Sequence, residues 1–522
     1  MEFRHFKDLT KSDINKSYEM IGRIETIKQT SGPTLMILND GTQNFTFKAF
    51  VKPGLRAYPH INIGDSVRVE ATINERNGGI EAEVTSMIKL SANDMELFSQ
   101  KIADINEKKI ELENTSFSIK SDMLESQKDR FIQIAKIIRK AIIDSRPILL
   151  RHNADCDGYS SAITIERAII SYMNKVKGED RQLQFQNYKR APSKAPFYEY
   201  EDSVKDISNW LRDKNRLDAK EPLIIITDNG STEEDILSIR QMKIYNAEIV
   251  VVDHHFPGKV ENGKVEVDKY IDAHINPYLT GYDSNICAGM LGYELARFID
   301  IENTNSVFIP AMASILDHTE GVEKDQYIDF AQKEGFTKDY LLDLGEIVDM
   351  ESHYFRFMES REFFDDLFGG NMLVQQKIVD LLKPELIKRY DAVLEVARHY
   401  MQKKDFKNFY LISFDGEKGT FRGEYPAIGK ATNHIHKNME EELDKPVITV
   451  TYGSNFMTIR ASDAIENFSV PEFVNIVMSK MPFANVNGGG HEHAGSVRCV
   501  DYALDDVMNM FILYLNEISN KK

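Results

Sequence analysis

A chain of 522 residues with 42% hydrophobic content is long enough for about three packed domains. Its formal net charge of −18 counts against a general nucleic-acid coat protein, which needs clustered Lys and Arg, but leaves open an enzyme that gathers cations locally. Cys156, Cys287 and Cys499 form no Cys-x-x-Cys pair, which argues against a disulfide framework or zinc ribbon and fits a reducing, cytoplasmic setting. No run approaches the roughly 18 apolar residues of a membrane span, and the charged start Met-Glu-Phe-Arg-His does not read as a signal peptide.

From the first residue to about 92, short apolar–polar alternations are broken by turn signals at Asp40-Gly41, Ile63-Gly64-Asp65 and Asn77-Gly78-Gly79. Five strands in this length predict a small closed barrel of OB type, a common binder of single strands. Phe45, Phe47 and Phe50 are core residues or stacking platforms, and the pattern leaves both readings open. Residues 93–142 are charged and helical in period, with Phe131, Ile134, Ala135, Ile137, Ile138 and Ala141 forming an apolar stripe that predicts a helix packed on the next domain.

Residues 143–320 alternate strand and helix. Ile148-Leu149-Leu150, Leu223 to Ile226 and Ile249 to Val252 are unbroken apolar runs, as strands covered on both faces require, so a doubly wound parallel sheet is expected. Residues 321–405 read as a helical insert broken at Phe368-Gly369-Gly370-Asn371. Residues 406–522 read as a smaller C-terminal α/β domain. The predicted class is therefore α/β, with an N-terminal barrel and a helical insert.

Four acidic clusters each close a stretch that reads as a buried strand: Asp155 and Asp157 in Asn-Ala-Asp-Cys-Asp-Gly, Asp228 in Thr-Asp-Asn-Gly-Ser, Asp253-His254-His255, and Asp317 in Ile-Leu-Asp-His. Packed carboxylates repel one another unless a cation neutralises them. Oxygen and imidazole donors suit Mn²⁺ or Mg²⁺, and paired ions suit phosphoryl chemistry. Asp155 and Asp157, two apart on extended backbone, are expected to point the same way before a helix starting near Ser160. A calcium loop is disfavoured because its closing Glu is missing. An acid followed by two imidazoles at a strand end is the most specific of these signals.

Jointly and in this order, the clusters resemble the DHH phosphoesterase superfamily, and Gly488 to Gly495 (Gly-Gly-Gly-His-Glu-His-Ala-Gly) resembles the signature of its associated C-terminal domain. The likeness runs from about residue 147 to the end. With the OB-like front and the large helical insert, the chain looks most like an archaeal-type RecJ-related protein. That resemblance implies two Mn²⁺ ions, with Mg²⁺ as the alternative: Asp155 and Asp228 on one, and Asp157, Asp228, His254 and Asp317 on the other. It makes Asp157, Asp228 and His255 catalytic, His255 reaching a phosphate oxygen while Asp253 orients the histidines. It places Arg460, Gly488, Gly489, Gly490 and His491 against the substrate backbone, with His493 ranked below His491. Relatives carry a His four residues, or an Asp two residues, before Asp155; this chain has Arg151 and Asn153 there, so His152 between them is carried as a candidate ligand. His274 and His318 read as structural, and Cys156 as a small buried filler.

The function this implies is a RecJ-like exonuclease on single-stranded DNA or RNA, with replication or repair proteins as partners and no membrane. The alternatives are a phosphodiesterase of small nucleotides (nanoRNA or cyclic dinucleotides) and a replication scaffold with reduced activity. No Gly-x-Gly-x-x-Gly follows a strand and no phosphate-loop Gly-Lys-Ser/Thr occurs, which disfavours a dehydrogenase or a nucleotide-dependent transferase.

Overall fold

The computed structural model describes residues 2–520 apart from 77–78, 179–183, 185–186, 194, 218, 304–305, 356–360, 421–422 and 491. The chain forms two compact units, Met1–Gly345 with Phe355–Gly370, and Glu346–Tyr354 with Asn371–Lys522.

After a two-residue strand, Glu2–Phe3, that pairs parallel with Ser17–Gln29, the first unit builds a barrel from β1 (Ser17–Gln29), β2 (Thr34–Asn39), β3 (Asn44–Ala49), β4 (Ser66–Arg76) and β5 (Gly79–Lys89). They pair in the order β1-β2-β3-β5-β4, and β4 returns to β1, so the barrel closes and leaves no free edge. Gly41 and Gly64 take positive φ in two of the expected turns, while Asn77 and Gly78 lie outside the described residues. Phe45 and Phe47 point inward and pack on Phe6, so they are core; Phe50 is exposed. Period-2 alternation explains the split, since 45 and 47 share the inner face of β3.

Helix α1 (Ala92–Ile110) buries no residue, whereas α2 (Lys128–Ile143) buries its predicted stripe except for the half-buried Ile137, and its buried Arg139 donates from Nε to the Ile299 carbonyl at 2.8 Å. Next come β6 (Ile148–His152), α3 (Cys156–Lys177), β7 (Tyr188–Pro192), α4 (Tyr200–Leu217), β8 (Leu223–Thr227), α5 (Ile236–Lys243), β9 (Glu248–Val252), β10 (Ala273–Ile275), α6 (Ala288–Ile299) and α7 (Phe308–Leu316). The five strands are all parallel, in the order β10-β9-β8-β6-β7. Counted within the sheet this is 2-1-3-4-5, so the winding reverses between β6 and β8. Ligands of doubly wound folds collect beyond the carboxyl ends of the strands at that reversal.

Helices α8 (Val322–Lys333) and α9 (Lys338–Phe355) follow, and the Phe-Gly-Gly break holds: Gly369 takes φ 89°, and Asn371 caps α10 (Met372–Tyr400) by accepting from Val374 N–H. In the second unit a mixed sheet is built from β11 (Gln402–Asp405), β12 (Tyr410–Asp415), β13 (Val447–Tyr452), β14 (Phe456–Ala461), β15 (Asn487–Gly490) and β16 (Ala494–Arg498). Its order is β11-β12-β13-β14-β16-β15, with β15 at the edge. Helices α11 (Ile428–Glu442), α12 (Val470–Lys480) and α13 (Leu504–Asn520) complete this unit, whose larger core centres on Ile459, Phe473 and Phe511.

Candidate metal centre

The centre is assembled from the loops after β6, β8 and β9 and from the end of α7. Asp155 is the N-cap of α3 and accepts from Gly158 N–H at 2.9 Å, while Asn153 Nδ2 donates to its other oxygen at 2.6 Å. The helix thus starts at Cys156, not near Ser160, and Asp157 lies in its first turn. Asp155 and Asp157 therefore lie on a helix cap and a helical turn, not on one extended strand. A Cβ on Gly158 would sit 2.3 Å from the Asn153 carbonyl, so the tight entry into α3 demands glycine there.

Asp157 is fixed by a second helix. Its carboxylate accepts from Ala288 N–H and Gly289 N–H, both at 2.8 Å, at the N-terminus of α6, where unpaired N–H groups favour negative charge. A Cβ at Gly289 would meet Ala313 at 2.5 Å, and one at Gly292 would meet the Ser161 hydroxyl at 2.2 Å, so these two glycines let α6 come this close.

Asp228 follows β8 in the left-handed region, φ 57°, with 1% exposure, and its Oδ2 is buried without a hydrogen-bond partner. Burial, then repulsion from Asp155 and Asp157, pushes its pKa well above the carboxylate range. His254 lies between the acids. Its Nε2 is 3.5 Å from Asp228 Oδ1 and 3.7 Å from Asp157 Oδ2, and its Nδ1 is 3.7 Å from Asp317 Oδ2. Nδ1 also faces the Ser284 carbonyl at 3.5 Å, which leaves the Nε2 lone pair among the carboxylates, buried and unpartnered. Burial opposes charging this ring, but Asp317, Asp157 and Asp253 outweigh it and raise its pKa.

Asp317 closes a helix rather than a strand. The apolar run Phe308–Leu316 is buried all round, and a short run of that kind does not distinguish the two conformations. His255 presents a half-exposed ring, and its Nδ1 lies 2.8 Å from Asp253 Oδ1, which also accepts from the N–H groups of His254 and His255. Burial would lower the His255 pKa, but the Asp253 carboxylate lifts it to about 9. Asp253 therefore orients the histidines.

Two sets of ligand atoms converge to within 4.8 Å: Asp228, His254 and His255, and Asp157, His254 and Asp317. Asp155 belongs to neither set but is close enough to raise the pKa of Asp228 and of Asp317. His152 is fully buried. Its Nδ1 sits 2.6 Å from the Asn153 carbonyl, and its Nε2 has no partner. Burial, then the nearby Arg190, hold it neutral. Carboxylate oxygens and imidazole nitrogens, among them Asp228 Oδ2, His254 Nε2 and His152 Nε2 buried without a partner, fit divalent cations, which would displace the proton the acids favour on His254.

Sequence reasoning assigns no role to Asn229, buried with both side-chain polar atoms unpartnered, or to Ser231, Asp268 and Asn276, and reads His274 beside them only as structural. Nothing in the stretch around His274 marks it as more than structural.

In the second unit, Arg460 on β14 stands opposite Ala494 of β16, and burial lowers its pKa. Gly488 and Gly490 are required by the β15–β16 pairing, since a Cβ would meet Ser496 O at 2.4 Å or Ala494 O at 2.3 Å. Gly489 has open space around its Cβ position, so its small size is not explained by packing. His491 lies outside the described residues. His493 Nε2 is 3.3 Å from the Ile465 carbonyl.

An OB-type barrel followed by a 2-1-3-4-5 sheet with carboxylates and imidazoles at its reversal defines an α/β protein with a candidate metal centre. Residues 18–90 match the family described as OB-fold nucleic acid binding domain. An uncharacterized protein of Methanocaldococcus jannaschii is 35% identical over 542 residues, covering 99% of this chain and 71% of that protein. A solved DHH domain, from a protein described as a member of a family of ribosomal proteins, is 34% identical with a TM-score of 0.78, covering 82% of this chain and 99% of that one. RecJ of Thermus thermophilus, crystallised with Mn²⁺, shares the fold at 13% identity and a TM-score of 0.50, covering 78% of this chain and 56% of that one. This chain belongs to the DHH family, with an OB domain ahead of its DHH domain.

Proposed function

We propose that this protein is a metal-dependent phosphodiesterase, and more specifically a RecJ-like exonuclease that degrades single-stranded DNA or RNA. The observation that carries the reading is the convergence of Asp157, Asp228, His254, His255 and Asp317 at the sheet's reversal, with His254 Nε2 and Asp228 Oδ2 buried and unpartnered. Asp155, Asp157, Asp228, His254 and Asp317 would hold the ions, Mn²⁺ or Mg²⁺. His152 would join them through Nε2, the ring nitrogen left free by the Asn153 carbonyl. Bound cations would supply the Lewis acidity that makes a water nucleophilic at neutral pH and neutralises charge on the phosphate. His255, held cationic by Asp253, would donate from Nε2 to a phosphate oxygen as negative charge builds there. Arg460, the β15 glycines and His491 would hold the substrate backbone. His152→Ala is expected to weaken binding of one ion by at least about tenfold without unfolding the chain, read by Mn²⁺ calorimetry. Unchanged calorimetry would remove His152 from the ligand set.

Support for a polymeric substrate comes from the barrel. A cavity of about 1150 Å³ lies between the outer face of β1–β3 and the β7 edge of the parallel sheet. Leu35 and Ile37 face outward into it from β2, where alternation calls for polar residues, beside Arg23, Thr26 and Lys28. Its lining reaches Arg151 and Ala191, next in the chain to the candidate ligand His152 and to its strand partner Pro192. Apolar and cationic side chains suit stacked bases and phosphates; of the four carboxylates that also line the groove, Asp206, Asp213 and Glu221 are paired with Arg151, Lys189 and Lys214, which leaves Arg23 and Lys28 beside Glu25. Lys28→Glu combined with Leu35→Glu is expected to weaken binding of a long single strand by about tenfold, measured by fluorescence anisotropy, and to leave dinucleotide turnover unchanged.

The test of function is a product-length assay on end-labelled DNA and RNA strands in Mn²⁺. Stepwise shortening from one end is expected. Cleavage of dinucleotides alone would replace this reading with the small-nucleotide phosphodiesterase, which the net charge of −18 favours. The intact acid and imidazole set argues against a scaffold without activity. Replication or repair proteins as partners and a cytoplasmic location belong to the same proposal. Among the described residues no helix is long and apolar enough to cross a membrane.

A further inference from the structure

Behind the metal centre a continuous set of buried polar side chains crosses the ends of three strands. Asp268 Oδ1 lies 2.8 Å from His274 Nδ1, and His274 Nε2 lies 2.9 Å from the Ser231 hydroxyl. Asn276 Nδ2 spends its two hydrogens on Ser231 Oγ at 3.1 Å and on the His255 carbonyl at 3.0 Å. Its amide oxygen accepts from Tyr278 N–H at 3.1 Å, which fixes the amide's orientation. Ser231, His274 and Asn276 are each at most 2% exposed. Ser231 follows β8, His255 follows β9, and His274 sits on β10, so the group ties together three loops that the sheet alone leaves free at their ends. From behind, Arg130 of α2 donates to the His274 carbonyl at 3.0 Å.

Buried polar groups cost stability unless fully paired, and apolar side chains could fill this volume. The set instead ends on the backbone of His255. None of its members reaches the carboxylates that cage the ions. We propose that Ser231, His274 and Asn276, with Asp268 at the far end, are positioning residues for His255: they hold its imidazole at the phosphate rather than hold metal. The Asp268 carboxylate selects Nδ1–H of His274, leaving Nε2 to accept the Ser231 hydroxyl hydrogen, and Ser231 Oγ is then free to accept from Asn276. This role rests on the reading of His255 given above.

The test uses the full chain. His274→Ala and Ser231→Ala are expected to lower kcat by about 10- to 100-fold, with KM and the Mn²⁺ dissociation constant unchanged. His274→Gln, whose amide oxygen can accept from Ser231, is expected to recover most of the loss. In a His255→Ala background the same substitutions should cost almost nothing further, because the group they position is gone. In the metal-free protein, the histidine-ring NMR signal of His255 should shift in His274→Ala and return in His274→Gln. Full additivity with His255→Ala, or an unmoved ring signal in a folded His274→Ala chain, overturns the proposal. A chain whose ring signal responds but which cleaves no phosphodiester would remove the enzymatic reading and leave the brace standing. Ser231→Ala, which deletes one hydroxyl, carries the same test if His274→Ala does not fold.

Discussion

Asp228→Asn is expected to lower phosphodiester turnover by at least about 10³-fold while raising the melting temperature of the metal-free protein. The first effect follows because Asp228 belongs to one set of ligand atoms and lies 3.5 Å from His254, which belongs to both, and an amide does not neutralise cations; several kcal/mol of lost charge stabilisation amounts to that factor. The second follows from the same geometry with the opposite sign. Without cations Asp228 is a buried carboxylate beside Asp155 and Asp157, and both burial and repulsion disfavour its charged form. Asn removes that conflict, and it tolerates the φ of 57° better than other side chains, so backbone strain does not confuse the comparison. Calorimetric scans in EDTA and in Mn²⁺ separate the two effects. The wild type should gain stability on adding Mn²⁺, and the variant should lose most of that gain. A variant that keeps its turnover would end the metal-cage reading.

The metal-free protein is expected to lose stability as pH rises from about 7 to about 9, and the Mn²⁺-loaded protein is expected to gain it. His255 carries a pKa raised from 6.5 to about 9, so its contribution is complete below 6.5 and disappears as pH climbs through 9. Asp228, also raised, contributes with the same sign. His152, held neutral, works the other way, but only below 6.5, and the depressed Asp253 acts only at acid pH. Lys177, buried with its pKa lowered to about 8, works the other way only above that value, and Asp317, raised to about 7, has lost most of its effect by pH 7, so His255 sets the sign. Cations compete with protons at Asp228, His254 and Asp317, and the protons released there outweigh the single one on His255, so loading reverses the slope. Melting temperatures measured across this range in EDTA and in Mn²⁺ check both signs. A rising curve in EDTA would contradict the charge arrangement described, and His255→Gln should flatten the decline.

Much of the site was legible in one dimension because its chemistry is concentrated. Asp253-His254-His255 after a run of four buried residues has little structural use, and Asp228 after Leu223 to Ile226 repeats the pattern. The barrel was legible because alternation and turn residues recur at short spacing. Asp317 reads as the close of a strand because Phe308–Leu316 is apolar on every side, which suits a buried helix equally well. The start of α3 was misplaced because the Asp155 cap is a matter of backbone angle, not of composition. The brace behind His255 was unreadable, since Ser231, Asp268 and His274 are spread over three separate stretches of chain and each is ordinary in its own.

Residue type and local order were enough to expect oxygen and imidazole donors suited to cations, gathered near the ends of strands buried on both faces, behind a barrel of short alternating strands. Those are properties of side-chain chemistry and of neighbours within a few positions. Only the tertiary structure decided which carboxylates share one space. That depended on the reversal of winding between β6 and β8, on Gly289 and Gly292 letting α6 close on Asp157, and on α7 delivering Asp317. Strand order and helix approach are settled by packing between segments distant in sequence, where no local pattern records the partner.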